Sequence, residues 1–285
     1  MLYHEPRLED RTHTSGTGID DPKDPQLALQ APDIHRQWER AYRTPENKRF
    51  YDMAINTIAD FLDAPANSRL LDAGCGVCDY AIRMAARGFN VVAIDFSEVV
   101  LSDAATNLLQ HGAPERIQLQ RENLLDLRFA NESFDYILCW GVLMHIPDVE
   151  RAISELCRVL KPEGVIVVSE ANMFSPEAVT IRILKQLLRR PKEKVVRTSG
   201  GIETWATIST GRLLTRQADQ KWLAGAFKQR GLLVKKRMTG QLTELYTRLP
   251  RGVLQNLLHS TNRFWFKWIR VPHISFGVIT IFQKQ

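Results

Sequence analysis

The chain has 285 residues, of which 44% are hydrophobic and 25% are charged, a balance that suits one large α/β domain and argues against a disordered protein. No apolar run is long enough to span a bilayer, and the first thirty residues contain no apolar core of a secretory signal. The 4 cysteines predict no disulfide framework in a chain of this size, so we expect a reduced, cytoplasmic compartment.

The net charge of +6 is unevenly distributed along the chain. Residues 182–270 contain 20 Lys and Arg against 4 Asp and Glu, whereas the rest of the chain is acidic. This distribution indicates either an anionic acceptor or surface facing the C-terminal part, or a solvated cationic face. The sequence leaves both interpretations open.

Residues 1–33 are polar and interrupted by glycine and proline, which predicts a flexible N-terminal arm. A helical cap is expected over residues 34–65, divided by Pro45. Strands and helices then alternate, and this alternation predicts a parallel sheet covered by helices on both faces. The expected strands are 69–72, 90–95, 117–121, 134–139 and 165–169, and the expected helices are 80–87, 98–110 and 149–160.

The pattern is looser after the fifth expected strand. A basic amphipathic stretch at 181–190 is followed by an irregular loop or hairpin over 201–216, around Trp205. The remaining expected elements are a helix at 219–230, a strand at 232–238, a largely helical region at 243–270 and a final strand at 275–282.

The strongest signal lies at the first two expected strands. The segment Asp72-Ala73-Gly74-Cys75-Gly76 follows one buried strand, and Asp95 ends the next. The two glycines permit backbone angles that other residues avoid and allow a ligand to approach closely. A carboxylate at Asp95 is placed to accept hydrogen bonds from ribose hydroxyls. Asp79 replaces the third glycine of a dinucleotide fingerprint and would repel a pyrophosphate, so a ligand without phosphates is favoured.

This pattern resembles motif I of the class I S-adenosylmethionine-dependent methyltransferases. Three further segments are similar to that family in order and spacing, namely 126–139, 141–148 and 155–164. The resemblance covers about residues 65–172 and points to small-molecule methyltransferases like those of ubiquinone biosynthesis. It implies a Rossmann-like α/β fold: a seven-stranded, mostly parallel sheet with helices on both faces and an antiparallel final strand. It also implies an enzyme that uses S-adenosyl-L-methionine and releases S-adenosyl-L-homocysteine.

The resemblance also implies roles for residues at matching positions. The cofactor-binding candidates are Tyr42, Asp72, Gly74, Cys75, Gly76, Asp95, Phe96, Asn123, Leu124 and Cys139. Asn123 stands where the family usually has aspartate, and its amide oxygen can still accept a hydrogen bond from the adenine amine. Cys78 stands at the last glycine of motif I, which predicts a more crowded helix start.

His145 and Glu170 are the catalytic candidates, because both follow strands at the sheet edge where an acceptor would lie. The alternative for His145 is a polar loop residue that caps the following helix. Cys75 and Cys78 form a C-x-x-C pair, but no second pair has metal-ligand spacing, so no metal site is predicted.

The implied function is in-line methyl transfer to a small metabolite or natural-product acceptor, in a methyltransferase domain spanning 34–285. Insertions at 172–216 and 239–272 are expected to form a lid or to recognise the acceptor. One alternative is an acceptor at a lipid or membrane surface, indicated by the basic and apolar residues of 181–190 and 264–270. Another is a non-catalytic cofactor-binding scaffold.

Modification of nucleic acid is disfavoured. The sequence has neither an Asn-Pro-Pro-Tyr-like tetrad after the fourth strand nor a separate RNA-binding module. The sequence indicates no particular oligomeric state.

Overall fold

A computed structural model describes residues 29–30, 32–112, 114–187, 193–208 and 211–285. The predicted N-terminal arm at 1–33 lies almost entirely outside these described residues, as do positions 188–190 of the basic stretch. None of the described helices is long and apolar enough to cross a membrane.

Helices and strands alternate through the central part of the chain as the sequence predicts. The helices are α1 (Pro32–Tyr42), α2 (Pro45–Leu62), α3 (Asp79–Ala86), α4 (Glu98–His111), α5 (Val149–Val159), α6 (Pro176–Leu187), α7 (Gln220–Lys228) and α8 (Val253–Phe264). The strands are β1 (Arg69–Ala73), β2 (Asn90–Asp95), β3 (Ile117–Arg121), β4 (Phe134–Trp140), β5 (Leu160–Ala171), β6 (Glu193–Thr198), β7 (Gly201–Ile208), β8 (Gly211–Ala218), β9 (Leu232–Thr239) and β10 (Gly277–Lys284).

Seven strands form the main sheet, in the order β3-β2-β1-β4-β5-β10-β9. The first five strands pair in parallel, and β10 runs antiparallel to both β5 and β9. This order places the carboxyl ends of β1, β2, β4 and β5 at one edge of the sheet. The predicted fold class is confirmed.

Helices cover both faces of this sheet. Leu70 and Leu71 are adjacent in β1 and fully buried, but they belong to two different apolar clusters. Leu70 packs in the cluster that includes α2 and α3, and Leu71 packs in the cluster that includes α5 and α7. Successive strand residues face opposite sides of a sheet, so the continuous apolar runs of these strands supply both layers of the core.

The break between α1 and α2 has a local cause. Pro45 stands in the first turn of α2, where its missing N–H leaves no helical hydrogen bond unmade. The Thr44 side chain caps α2 by accepting a hydrogen bond from the backbone N–H of Asn47 at 3.3 Å. The predicted division of the helical region at Pro45 is confirmed.

The strands β6, β7 and β8 form a separate antiparallel sheet in that order. Of the two structures expected over 201–216, the hairpin is present, and β6 is a strand that the sequence did not predict. The strand β8 lies against the short 3₁₀ turn Leu143–His145, which follows β4. This small sheet therefore contacts the edge of the main sheet.

Two expected elements differ in detail from the prediction. The strand β5 begins at Leu160, earlier than predicted. The predicted turn at 161–164 forms a bulge within this strand, because the residues paired with β4 are Leu160 and then Val165. Glu163, in this bulge, has a φ angle of 59°. The region 243–270 is mainly helical as predicted. Its elements are a 3₁₀ turn at Leu245–Arg248, α8 and a π-helical turn at Trp265–Ile269.

Candidate active site

The carboxyl ends of the central strands open on a cavity of about 860 Å³. Ligands of open α/β sheets bind at this edge, so its position agrees with the predicted location of the site. Ten of the predicted site residues line the cavity: Tyr42, Gly74, Cys75, Gly76, Asp95, Phe96, Asn123, Leu124, His145 and Glu170. Asp72 and Cys139 do not line it.

One side of the cavity, which we call the glycine-turn wall, is formed by residues 74–79 with 94–96 and 122–125. The turn after β1 folds onto the end of β2. The backbone N–H groups of Gly74 and Cys75 both donate to the carbonyl of Ile94, at 2.9 and 2.7 Å. The N–H of Gly76 donates to the Asp95 carboxylate at 3.2 Å. Motif I and Asp95 are therefore in direct contact.

Gly74 and Gly76 are both required here, for different reasons. Both have positive φ angles, 78° and 53°, which side chains with a Cβ rarely adopt. A Cβ on Gly74 would lie 2.6 Å from the Val142 side chain, so the turn packs closely on the segment after β4. A Cβ on Gly76 would meet no atom within 4 Å, so the turn leaves open space at this point.

Asp95, in this wall, and Asp72, near the end of β1, have different environments. The Asp95 carboxylate accepts a hydrogen bond from the N–H of Ser97 at 3.0 Å, and burial raises its pKa. Asp72 is almost fully buried beneath the turn, and burial raises its pKa to about 7. One oxygen of Asp72 has no hydrogen-bond partner among the described residues. Asp72 is thus buried outside the cavity rather than facing it.

Asn123 lines the cavity, whereas Cys139, whose backbone is predicted to face the methionine end of the cofactor, does not. The side-chain oxygen of Asn123 accepts the N–H of Leu125 at 3.0 Å, which leaves one lone pair for a ligand. The Cys139 side chain is buried in the core, and the next residue, Trp140, lines the cavity. Cys78, at the glycine position of motif I, has φ 66° and a fully buried side chain.

Aromatic side chains form a second side of the cavity, which we call the aromatic wall: Tyr51, Tyr80 and Trp140. The rings of Tyr80 and Trp140 stack with centroids 4.9 Å apart, and Tyr51 meets Tyr80 edge-on at 5.2 Å. Sequence reasoning missed Tyr80 and Trp140 as site residues. Their positions in the sequence could have indicated this role, because Trp140 ends β4 and Tyr80 closely follows motif I.

His145 lies between the cavity and the small sheet. Its Nδ1–H donates to the carbonyl of Leu214 in β8 at 2.7 Å, and its ring lies 5.0 Å from that of Trp38. Burial lowers the pKa of His145 to about 4, so the ring is neutral near pH 7. The alternative in which His145 caps the next helix is wrong, because the Asp148 side chain caps α5.

Glu170, near the end of β5, supports the segment after β4. One of its carboxylate oxygens accepts the N–H of Leu143 at 3.0 Å, and the other has no partner within the described part of the chain. Burial raises the pKa of Glu170 to about 8. Val142 of the segment that Glu170 holds packs against Gly74, so this carboxylate indirectly supports the glycine turn.

Glu244 is a cavity residue that sequence reasoning missed. The Tyr42 hydroxyl donates to its carboxylate at 3.2 Å, and its backbone N–H donates to the Glu177 carboxylate at 3.1 Å. Burial, with the nearby charge of Glu177, raises the pKa of Glu244 to about 7. The sequence did contain an indication of this role, because Glu244 is the only acidic residue of the insertion 239–272.

Arg216 fastens the small sheet to the cavity. Its guanidinium is buried, pairs with Glu203 at 2.8 Å and donates to the carbonyls of Leu143 and Ile146, each at 2.9 Å. Three partners in two parts of the fold therefore depend on one side chain. No local sequence pattern marks such a contact, since β8 and the turn after β4 are far apart along the chain.

Comparisons with known proteins agree with this arrangement. Residues 71–168 match the family described as a methyltransferase domain. The chain is 35% identical over 143 residues to a ubiquinone biosynthesis O-methyltransferase of Hahella chejuensis, covering 48% of this chain and 57% of that protein. It is 30% identical over 151 residues to a protein of the same name from Stutzerimonas stutzeri, covering 53% of this chain and 63% of that one. The match thus spans somewhat over half the length of these relatives.

Solved structures show the same fold at low sequence identity. Magnesium protoporphyrin IX methyltransferase from Synechocystis, solved with bound S-adenosylhomocysteine, is 15% identical with a TM-score of 0.58, covering 91% of this chain and 98% of that chain. A 4+2 cyclase is 18% identical with a TM-score of 0.56, covering 82% of this chain and 80% of that chain. The fold is therefore shared by proteins that are named for different reactions.

The glycine-turn wall fits S-adenosylmethionine on its own geometry. It combines open space at Gly76 with a carboxylate at Asp95 that can accept hydrogen bonds from a ribose. The matched residues, the fold and this wall agree. Residues 71–168 therefore match a methyltransferase domain, and the fold and the cavity are those expected of the class I S-adenosylmethionine-dependent type.

Proposed function

We propose that this protein transfers a methyl group from S-adenosylmethionine to a hydroxyl group of a small aromatic acceptor. The observation that carries the proposal is a single cavity lined by the glycine-turn wall, by the aromatic wall and by the Glu244 carboxylate. The two relatives above are named as O-methyltransferases, which supports a hydroxyl acceptor.

The protein's own residues divide the work of such a reaction. S-adenosylmethionine supplies a methyl group that its sulfonium already activates. The glycine-turn wall would hold the ribose and methionine parts, and the aromatic wall would orient a planar acceptor and exclude water. Holding two reactants in line can contribute roughly 7–11 kcal/mol to the barrier reduction. An acceptor hydroxyl must also lose its proton.

We assign removal of that proton to Glu244. A proton acceptor works best when its pKa lies near the working pH, and the pKa of Glu244 is about 7. The pKa of His145 is about 4, so its ring is a weak base. Each of the two carboxylates accepts one hydrogen bond, Glu170 from Leu143 and Glu244 from Tyr42, but Glu170 is nearly fully buried whereas Glu244 is partly exposed. In this proposal Glu170 and His145 position the segment after β4.

The charge of the cavity argues against a strongly anionic acceptor. Glu170 and Glu244 both line it, whereas Arg43 is paired with Asp79 at 3.0 Å. A carboxylate or phosphate on the acceptor would be repelled by either of these groups once it is ionised. We therefore favour a neutral acceptor over the anionic one that the charge distribution of the chain allows.

The test is a transfer assay with labelled S-adenosylmethionine and a panel of phenols and catechols, run with the parent protein and Glu244→Gln. We expect transfer to at least one acceptor, and a loss of about 10²–10⁴-fold in kcat in the variant because proton removal is lost. Calorimetry should show unchanged affinity for S-adenosylmethionine. Glu39→Gln is the matched control, since Glu39 also lines the cavity but is exposed at 58% of its side chain.

Two results would contradict the proposal. Cofactor binding without transfer to any acceptor would favour the non-catalytic scaffold. Transfer at the parent rate in Glu244→Gln would show that Glu244 does not accept the proton, while leaving methyl transfer itself intact.

A further inference from the structure

The helix α8 has its polarity reversed relative to an ordinary surface helix. Its inward side carries His259 and Asn262, which are only 2% and 1% exposed. Both ends of the Asn262 amide bond to the backbone of Thr243, at 3.1 and 2.9 Å. Surface helices normally bury their apolar side and expose their polar side. Here polar groups hold the helix to the domain.

The outward side of the same helix is apolar. We call it the α8 face, and it is formed by Val253, Leu254, Leu257 and Phe264 together with Trp268 of the π-helical turn that follows α8. Because an α-helix turns about 100° per residue, the members in α8 fall on one side of its axis. Val253 is 88% exposed and Trp268 is 65% exposed. Single exposed apolar residues are ordinary, but five of them grouped on one side of this segment indicate a binding surface.

The charge around the α8 face identifies the partner it suits. Residues 245–285 contain no aspartate or glutamate. Arg248, Arg251, Lys267 and Arg270 are exposed on this segment. The Lys267 ammonium lies 4.9 Å from the centre of the Trp268 ring, so cation and aromatic ring are adjacent on the surface. Apolar side chains with a tryptophan and flanking cations match the interface of a bilayer that contains anionic lipid.

We infer that the α8 face is a membrane-docking surface that inserts into the interface of an anionic phospholipid bilayer. The inference goes beyond the proposed function, because vesicle binding requires no methyl transfer. The two are linked through the insertion 239–272, which carries both the α8 face and Glu244. Phe266 of the same segment packs on Phe50, a residue that lines the cavity, with ring centroids 5.4 Å apart.

The experiment is sedimentation of the full chain with two kinds of vesicle, one of phosphatidylcholine alone and one with about a third phosphatidylglycerol. We expect binding to the anionic vesicles that weakens as salt is added, since cations near the surface are screened. A triple variant, Val253→Ser with Leu254→Ser and Leu257→Ser, should bind about tenfold or more weakly. These side chains are exposed, so thermal unfolding should confirm that the variant remains folded.

Two control variants sharpen the result. Leu109→Ser removes an apolar side chain that is 76% exposed on α4, away from the α8 face in sequence, and it should bind like the parent. Lys267→Glu with Arg270→Glu should abolish the preference for anionic vesicles while leaving S-adenosylmethionine affinity unchanged.

Three outcomes would overturn the inference. They are failure of the parent to bind anionic vesicles, equal binding by the parent and the triple variant, and equal loss in Leu109→Ser. Light scattering measures the oligomeric state and so tests the competing partner, a second copy of the chain. If the parent is a dimer that the triple variant splits, and vesicles do not bind the parent, then the α8 face is a self-association surface.

Discussion

The two walls of the cavity are built in different ways. The contacts that shape the glycine-turn wall are mainly backbone hydrogen bonds and the one from Gly76 to Asp95, and they join the ends of the consecutive strands β1 and β2. The aromatic wall and Glu244 are side chains from α2, α3, β4 and the insertion before β10. A backbone-built wall depends on a few glycines, whereas a side-chain-built wall depends on contacts between distant segments. The two walls should therefore respond to different substitutions.

The largest effect is expected from the contact that connects the small sheet to the cavity. Arg216→Met should lower the free energy of unfolding by about 3–5 kcal/mol, because it leaves Glu203 buried without its partner. Chemical denaturation measures this change. Arg212→Met is the matched control on β8, since Arg212 is exposed and should change stability by less than about 0.5 kcal/mol. Equal stability of the two variants would show that the small sheet is not fastened through Arg216.

The glycine-turn wall should respond strongly to a single methyl group. Gly74→Ala combines the left-handed backbone, which costs about 1–2 kcal/mol, with contact at 2.6 Å to Val142. We expect S-adenosylmethionine affinity to fall by about thirtyfold or more in calorimetry. Gly88→Ala has a similar φ of 94° but no atom within 4 Å of the new methyl, and it lies outside the cavity. If both variants bind equally well, close packing at Gly74 does not shape the wall.

The pH dependence of transfer should report the carboxyl group beside the aromatic wall. Burial raises the pKa of Glu244 to about 7 from the ordinary 4.5, so the group is protonated below pH 7 and becomes a proton acceptor above it. The value of kcat/KM should therefore rise about tenfold per pH unit up to about pH 7 and then level off. In Glu244→Gln this limb should be absent. A limb that persists in the variant would assign the titration to another group.

The raised pKa of Glu244 also makes stability depend on pH, and stability falls over the pH range in which activity rises. A carboxyl group whose pKa is raised on folding binds its proton more tightly in the folded state, so stability falls as pH rises from about 4.5 through about 7. Glu244→Gln should lose less stability than the parent over that window in denaturation curves recorded at several pH values.

The smallest effect is expected at His145. Its Nδ1–H holds the Leu214 carbonyl, a task that an asparagine amide can perform, so His145→Asn should retain kcat within about threefold. His145→Leu leaves that carbonyl without its donor and should lose about tenfold, mainly through KM. If both variants lose kcat by more than about a hundredfold, the ring takes part in proton removal, and His145 returns as the catalytic candidate.

The sequence predicts the glycine-turn wall well because its information is local. Gly74, Gly76 and Asp95 lie within one strand-helix-strand unit, and the unit dictates their contact once the strands pair in parallel. The same local character explains why the bounds of β2 and β3 agree with the prediction residue for residue. Buried parallel strands have strong apolar runs bounded by turn residues.

The sequence is less informative about the second side of the cavity. Glu244 meets Tyr42, about two hundred residues away along the chain, and no periodicity or motif connects them. The role of Arg216 is equally hidden, since a basic residue in a cationic region predicts a solvated surface. Its burial follows only from packing of β8 against the turn after β4. The strand β6 was missed because its residues are partly exposed and lack a strong alternating pattern.

The sequence by itself determined the family resemblance, the order of helices and strands along the chain, and the cofactor-binding turn, because these depend on backbone preferences and local spacing. It also placed the basic and apolar residues near the C-terminus without showing which of them face outward. Only the tertiary structure decided that Glu244 joins the cavity, that Glu170 and His145 hold the turn after β4, and that α8 presents its apolar side to solvent. The physical reason is that pairing of distant side chains and the rotation of a helix on a core are settled by packing, which one sequence does not display.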